Sequence, residues 1–281
     1  MNVADVMTPR EAVVTVSIPG TRDDALAYLQ EGEFSAVPVL KEGTERYRGL
    51  VSRDDLIENP DEDQLAMLMR EAPTVGESAS LTDVARLVVE DGARRVPVVE
   101  DGELLGIVTV TDVIRAIADG DADGDTTVGD LAQRSVNATY EGAPLPAAER
   151  ELSHADVPYT VALDDSGRMS GILTEVDIIE VARVVEGEEE AGGSLAGDEE
   201  EWTWESIKTV GGSYIPTRNV ELPAGPVSEF MTPDPVTVTA GRTARETAQA
   251  MINHDVEQLP LVRGDALAGV VRDTDLLRAL L

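Results

Sequence analysis

The chain has 281 residues, with 55 Asp and Glu against 22 Lys and Arg, a formal charge of -33 and a sequence pI of about 4.1. Such a field repels nucleic acid phosphates and anionic membranes, which bind by counterion release to basic groups, so neither is expected as a partner. The absence of cysteine removes disulfides, thiolate metal sites and cysteine nucleophiles.

The opening Met-Asn-Val-Ala-Asp-Val-Met has neither a basic n-region nor an apolar h-region, and no stretch has the length of a membrane span. A cytoplasmic location is therefore expected. The first unit, 1–59, begins with the β-branched run Val13-Val14-Thr15-Val16, which suits a strand. A helix follows with Ala25, Tyr28 and Leu29 at i, i+3, i+4 spacing, then a second strand through Val37-Pro38-Val39. Proline cannot donate to a ladder, so this strand should be short or at an edge there. A third strand ends in Gly49-Leu50-Val51-Ser52 and runs into a closing helix that carries Asp55.

The second unit, 60–120, repeats this grammar: Val84, Leu87 and Val88 on a helix, Val96-Pro97-Val98, a polar turn Glu100-Asp101-Gly102-Glu103, then Gly106, Thr109 and Asp112. Its closing helix has the stripe Val113, Ile114, Ile117. The third, 121–186, opens with Ala143-Pro144-Leu145-Pro146, keeps Gly171, Thr174 and Asp177, and closes on Ile178, Ile179 and Ala182, without the proline of the second strand. An acidic, glycine-rich insert, 187–224, follows and holds Trp202 and Trp204, with Ile207, Tyr214, Ile215 and Pro216 behind them. It reads either as a cover for an apolar surface of the same protein or as a docking element for a partner. The fourth unit, 225–281, has Val236-Thr237-Val238-Thr239, the helix of Ala248, Met251 and Ile252, Leu259-Pro260-Leu261, then Gly269, Arg272 and Asp275, with Leu276, Leu277 and Leu280 closing.

The leading glycines Gly49, Gly106, Gly171 and Gly269 recur at intervals of about sixty residues, the last widened by the insert, and each precedes an aspartate by the same distance. An α/β (α+β) repeat fold results, four units of strand-helix-strand-strand-helix. His154 and His254 fall at the ends of first helices, where a cation meets free carbonyls, and not in metal-ligand spacing. No catalytic triad, phosphate-binding lysine loop or zinc motif is present.

With the Met-Thr-Pro segments at Met7-Thr8-Pro9 and Met231-Thr232-Pro233, the Val-Pro-Val strands and the Gly-x-x-Thr/Ser-x-x-Asp segments, the chain resembles the cystathionine-β-synthase (CBS) domain family. The resemblance implies four CBS repeats paired into two tandem modules, which in the family often form a flat disc. One chain could close its own disc, or two chains could pair as a homodimer. Lys41 and Lys208 are the only lysines, and scarce lysine with abundant carboxylate resembles the proteins of salt-accumulating archaea, where the Debye length falls to about 3 Å at molar salt.

A strand that ends in glycine and runs into a helix presents backbone N–H groups to a phosphate. Ser52, Thr109 or Thr174 would donate to it, and Asp55, Asp112 or Asp177 would accept the hydroxyls of a ribose, as the matching residues do in relatives. The same hydroxyl and carboxylate spacing also makes a helix capping box without any ligand. The second repeat ranks first, because Arg94 and Arg95 precede its Val-Pro-Val strand in a chain so poor in cations. Ser52 with Asp55 ranks second. In the fourth repeat Arg272 stands where the hydroxyl should be, which either removes the donor or substitutes a guanidinium.

The expected function is a non-catalytic regulatory module that binds AMP, ADP, ATP or S-adenosylmethionine, holds no tightly bound cofactor, and signals to a protein partner that the sequence does not name. A ligand-free scaffold is the alternative, and an accessory subunit of a metabolic enzyme such as IMP dehydrogenase a third. A (β/α)₈ barrel alone takes about 250 residues, and the repeats leave only the insert, so no catalytic domain is expected.

Overall fold

The structure is a computed structural model and describes residues 1–30, 35–59, 62–155, 157–186 and 218–281. The stretch from Trp202 to Pro216, on which the two readings of the insert rest, lies outside the described residues. The first repeat contains β1 (Thr8–Pro9), β2 (Val16–Ile18), α1 (Arg22–Gln30), β3 (Ala36–Lys41), β4 (Tyr47–Ser52) and α2 (Arg53–Glu58). The second contains α3 (Leu65–Leu68), α4 (Leu81–Asp91), β5 (Arg95–Glu100), β6 (Glu103–Thr109) and α5 (Val110–Asp119). The third contains α6 (Val128–Leu131), β7 (Ala138–Tyr140), α7 (Leu145–Ala155), β8 (Tyr159–Leu163), β9 (Met169–Thr174) and α8 (Glu175–Val181). A stem of β10 (Arg183–Glu186) paired antiparallel with β11 (Arg218–Glu221) flanks the insert. The last repeat contains β12 (Thr232–Pro233), β13 (Val238–Thr239), α9 (Ala244–His254), β14 (Gln258–Arg263), β15 (Ala266–Arg272) and α10 (Asp273–Leu276).

The first strand of a repeat runs parallel to the second, and the second antiparallel to the third, in β2-β3-β4, β7-β8-β9 and β13-β14-β15. In the second repeat the first strand shrinks to a parallel bridge between Val75 and Val98. First strands begin at Val16 and Val238, later than the runs from Val13 and Val236 suggested. Two of the proline strands, β3 and β14, are central and not edges, while β5 ends its sheet with only the Val75 bridge beyond it. The late start of the first strand makes the missing donor harmless. Val75 donates to the Pro97 carbonyl at 3.1 Å and accepts from the Val99 N–H at 2.8 Å, so the proline nitrogen is never asked for a bond. In the third repeat the matching residue is Val161, and its N–H donates to the Asn137 carbonyl at 3.0 Å.

Two compact units divide the chain: Met1–Leu56, Glu62–Val136 and Pro235–Leu281 form one, Ile57–Asp61 and Asn137–Asp234 the other. Within the first, the second and fourth repeats share a core in which Val84, Val88, Val113 and Ile117 pack with Ala248, Met251, Leu276 and Leu277. Gln249 Nε2 donates to the Ala118 carbonyl at 2.8 Å across the same helix contact. Each such aliphatic side chain contributes about 1.5–3 kcal/mol by leaving water. The first repeat has a separate core of Ala25, Leu29, Val37 and Val51, joined by Leu65 of α3. In the second unit Leu145, Leu152, Leu173, Ile178 and Val227 form the core. There the expected stripe narrows, because Ile178 is buried while its neighbour Ile179 is 70% exposed. Among the described residues no helix is long and apolar enough to cross a membrane.

The leading glycines are explained by close approach. A segment preceding each repeat crosses the third strand of another repeat, and its backbone lies on the glycine. Thr8 pairs with Ile107 and Pro9 with Gly106, while Thr232 pairs with Ile172 and Pro233 with Gly171. Arg70 bridges Leu50, and Gln133 bridges Val270, in the same relation to Gly49 and Gly269. A Cβ on Gly49 would stand 2.7 Å from the Arg70 carbonyl oxygen, and one on Gly269 2.5 Å from that of Gln133. Gly49→Ala should therefore lower stability by about 1–3 kcal/mol, measured as a fall in the urea midpoint. Thr160 offers a contrast of opposite sign. It is fully buried with no partner for Oγ1, at the position that Val37, Val96 and Leu259 occupy in the other repeats. Thr160→Val should raise the midpoint, by about 1 kcal/mol in stability.

Candidate functional site

Each third strand delivers its polar pair to the start of the closing helix. At α5, Thr109 Oγ1 donates to Asp112 Oδ2 at 2.7 Å and accepts from the Asp112 N–H at 3.3 Å, and the Thr109 N–H donates to the same Oδ2 at 2.9 Å. The Val110 N–H donates to the Arg94 carbonyl at 3.1 Å. Three of the four donors orphaned at a helix start are thereby answered within the protein. The picture of open N–H groups awaiting a phosphate needs this correction. Asp112 Oδ1 lies outside the cap and has Arg115 Nη1 at 3.6 Å.

The same box forms at Ser52, whose Oγ donates to Asp55 Oδ2 at 2.6 Å, and at Thr174, whose Oγ1 donates to Asp177 Oδ2 at 2.7 Å. Ser52 and Asp55 are both buried. In the fourth repeat the pattern changes. Asp275 is 1% exposed, with Oδ2 taking the Arg272 N–H at 3.0 Å and Oδ1 taking Gln133 Nε2 at 3.1 Å. Arg272 Nε stands 3.5 Å from Oδ2, so its guanidinium lies against Asp275.

Arg94 also has a definite place. Its guanidinium grips Asp273 with Nη1 to Oδ1 at 3.3 Å and Nη2 to Oδ2 at 2.5 Å, and Nη2 meets Glu257 Oε2 at 3.1 Å. Asp273 is the first residue of α10, and its N–H donates to the Glu257 carbonyl at 2.7 Å. Burial works against the charge of Arg94, and Asp273 and then Glu257 outweigh it, so its pKa is raised. The expected pairing of Arg94 with a phosphate at Thr109 thus meets a competitor: two carboxylates of the fourth repeat already hold it. Arg95 lies opposite Thr109 in the β5-β6 ladder.

Sequence reading missed the residue that each crossing segment brings to the aspartate. Arg70 reaches Asp55, with Nε 3.4 Å from Oδ2; Thr232 Oγ1 is 3.4 Å from Asp177 Oδ1; Gln133 reaches Asp275. Thr8 holds the matching register beside Gly106. The signal was the residue after the methionine in Met7-Thr8, Met69-Arg70 and Met231-Thr232, with Ala132-Gln133 in the methionine's absence.

Together these features define a tandem α/β repeat protein in which crossed segments frame a polar pair at each strand-to-helix junction. The chain belongs to the CBS domain family, whose model matches residues 3–62, 65–119 and 227–281. The third repeat lies outside those matches and has the same sheet order as the first and fourth. The chain is 26% identical over 279 residues to the uncharacterized protein MJ1404 of Methanocaldococcus jannaschii, covering 98% of this chain and 61% of that one. It thus spans less than two thirds of that relative's length. A conserved uncharacterized protein from Pyrococcus horikoshii superposes over 100% of both chains with a TM-score of 0.72 at 27% identity. Protein MJ1225 from M. jannaschii shares the fold over 100% of both chains, with a TM-score of 0.67 at 21% identity.

The Arg94–Asp273 contact can be measured by a double-mutant cycle. With Arg94→Ala and Asp273→Ala the coupling should be about 1 kcal/mol, discounted for the half-exposed guanidinium and falling as salt rises.

Proposed function

We propose that the chain is a non-catalytic regulatory module that binds adenosine-containing ligands of the AMP, ADP, ATP or S-adenosylmethionine class and signals to a partner protein. One observation carries the reading: the cap and the ligand site do not compete for the same oxygen. Asp112 spends Oδ2 on the helix start, and Oδ1 lies outside the cap. A ribose hydroxyl can donate to Oδ1 while the helix start stays intact. The phosphate then lies at the start of α5, whose ten residues give a macrodipole favourable to an anion. Ser52 with Asp55 and Thr174 with Asp177 repeat the cap, and at the third junction Thr232 Oγ1 also reaches Asp177 Oδ1 at 3.4 Å.

A scaffold role is favoured for one repeat by a specific observation. Both oxygens of Asp275 are taken by protein groups, and the helices of the fourth repeat complete the core of the second. The fourth repeat then serves structure while ligand binding rests with the others. The setting proposed is the cytoplasm, and the acidic, lysine-poor surface suits concentrated salt.

Thermal unfolding with AMP, ADP, ATP and S-adenosylmethionine in turn tests the reading. A ligand at a hundred times its dissociation constant should add about 2.7 kcal/mol of stability. Asp112→Ala weakens the cap whether or not a ligand binds, so the ligand-induced increment is compared and not the melting temperature itself. The increment should shrink in the variant. No increment with any of the four compounds in the wild-type chain would leave the scaffold as the reading.

A further inference from the structure

Resting on the adenosine reading, we propose that the junction of the first repeat is the phosphate-selective one, and that Arg70, supplied by the segment leading into the second repeat, makes it so. The backbone of Arg70 is fixed in both directions: Leu50 N–H donates to its carbonyl at 3.0 Å, and its N–H donates to the Leu50 carbonyl at 2.9 Å. From there the side chain extends over the polar pair, with Nη2 3.4 Å from Ser52 Oγ and Nε 3.4 Å from Asp55 Oδ2. Ser52 and Asp55 are 5% and 7% exposed, whereas the Arg70 side chain is 58% exposed. A cation thus stands at the solvent side of a buried hydroxyl and carboxylate.

A guanidinium has five donors, and these two long contacts leave most of its capacity for a planar anion. A second polar atom belongs to the same junction. Ser35 Oγ is buried without a partner, on the residue whose carbonyl accepts the Arg53 N–H and whose neighbour Ala36 pairs with Ser52. The four junctions differ at this register: Thr8, Arg70, Thr232 and Gln133 occupy it, and Arg70 alone is cationic. At the Thr109 junction the corresponding cation is missing from the crossing segment, and Arg94 is held by Asp273 and Glu257. In a chain of formal charge -33 a phosphate needs a local cation, and Arg70 places one at Ser52.

A purely structural Arg70 would do no more than neutralise Asp55. Adenosine and AMP separate the two roles, because only AMP carries the phosphate. Affinities for both are measured by calorimetry on the full chain carrying Asp112→Ala, so that the first junction is read, with Arg70→Gln and Arg70→Lys added to that background. The expected result is a loss of AMP affinity of about tenfold or more in Arg70→Gln, with adenosine unchanged and Arg70→Lys partly restoring AMP. An unchanged AMP affinity, or equal losses for AMP and adenosine, overturns the assignment. AMP binding to the wild-type chain that Asp112→Ala abolishes outright overturns it too, while leaving the adenosine reading in place. Failure of every adenosine compound to bind the wild-type chain overturns both.

Discussion

A backbone laid on a glycine organises this protein. In each third strand a crossing segment comes so close that a Cβ would collide with a carbonyl oxygen, as at Gly49 and Gly269, or with a methionine sulfur, as at Gly171. That contact fixes register, and register fixes everything downstream in the strand. The polar residue three positions on becomes the cap of the closing helix, and the crossing residue comes to rest beside the aspartate. The glycine and the aspartate are therefore common to the four junctions, while the hydroxyl and the crossing residue vary between them.

Local features were legible in the sequence. Alternating and 3.6-residue patterns are properties of one segment, so β3, α4, β5 and α5 could be placed from a few side chains each. What a stripe faces is a different matter. Val113 and Ile117 announce a buried face on α5, yet nothing in their spacing says that Ala248 and Met251 cover it. Arg94 shows the same limit, since its partner Asp273 is 179 positions away. The proline strands were expected to be short or at an edge, and two of them, β3 and β14, are central, because propensity counts a missing donor without knowing where the neighbouring strand begins. At the junctions Ser or Thr and Asp stand out by type and spacing, but from sequence cap and ligand look like rival explanations. They part only when the two carboxylate oxygens are seen separately, which no sequence pattern can do.

The crossing segments also divide the work of a site between repeats. The capping residue and carboxylate come from the repeat that owns the helix, and the residue that reaches the aspartate comes from a segment outside it. Arg70, Gln133 and Thr232 give a cation, an amide and a hydroxyl against the same aspartate. The crossing residue varies among the junctions while the bond from the backbone N–H to the aspartate is kept in all four. Asp275 shows the far end of that variation, where an amide and a guanidinium have turned a junction inward.

The shared core of the second and fourth repeats bears on how the chain is made. Its two halves lie far apart in sequence, and although the entropy of closing so long a loop rises only slowly with length, non-local contacts slow folding. During synthesis α4 and α5 leave the ribosome with their apolar faces bare, and the helices that cover them emerge only after the third repeat and the insert. Over that interval the dense negative charge acts before the fold exists. At low salt that charge keeps unfinished chains apart while the second repeat waits for the fourth, and the repulsion is screened as salt rises.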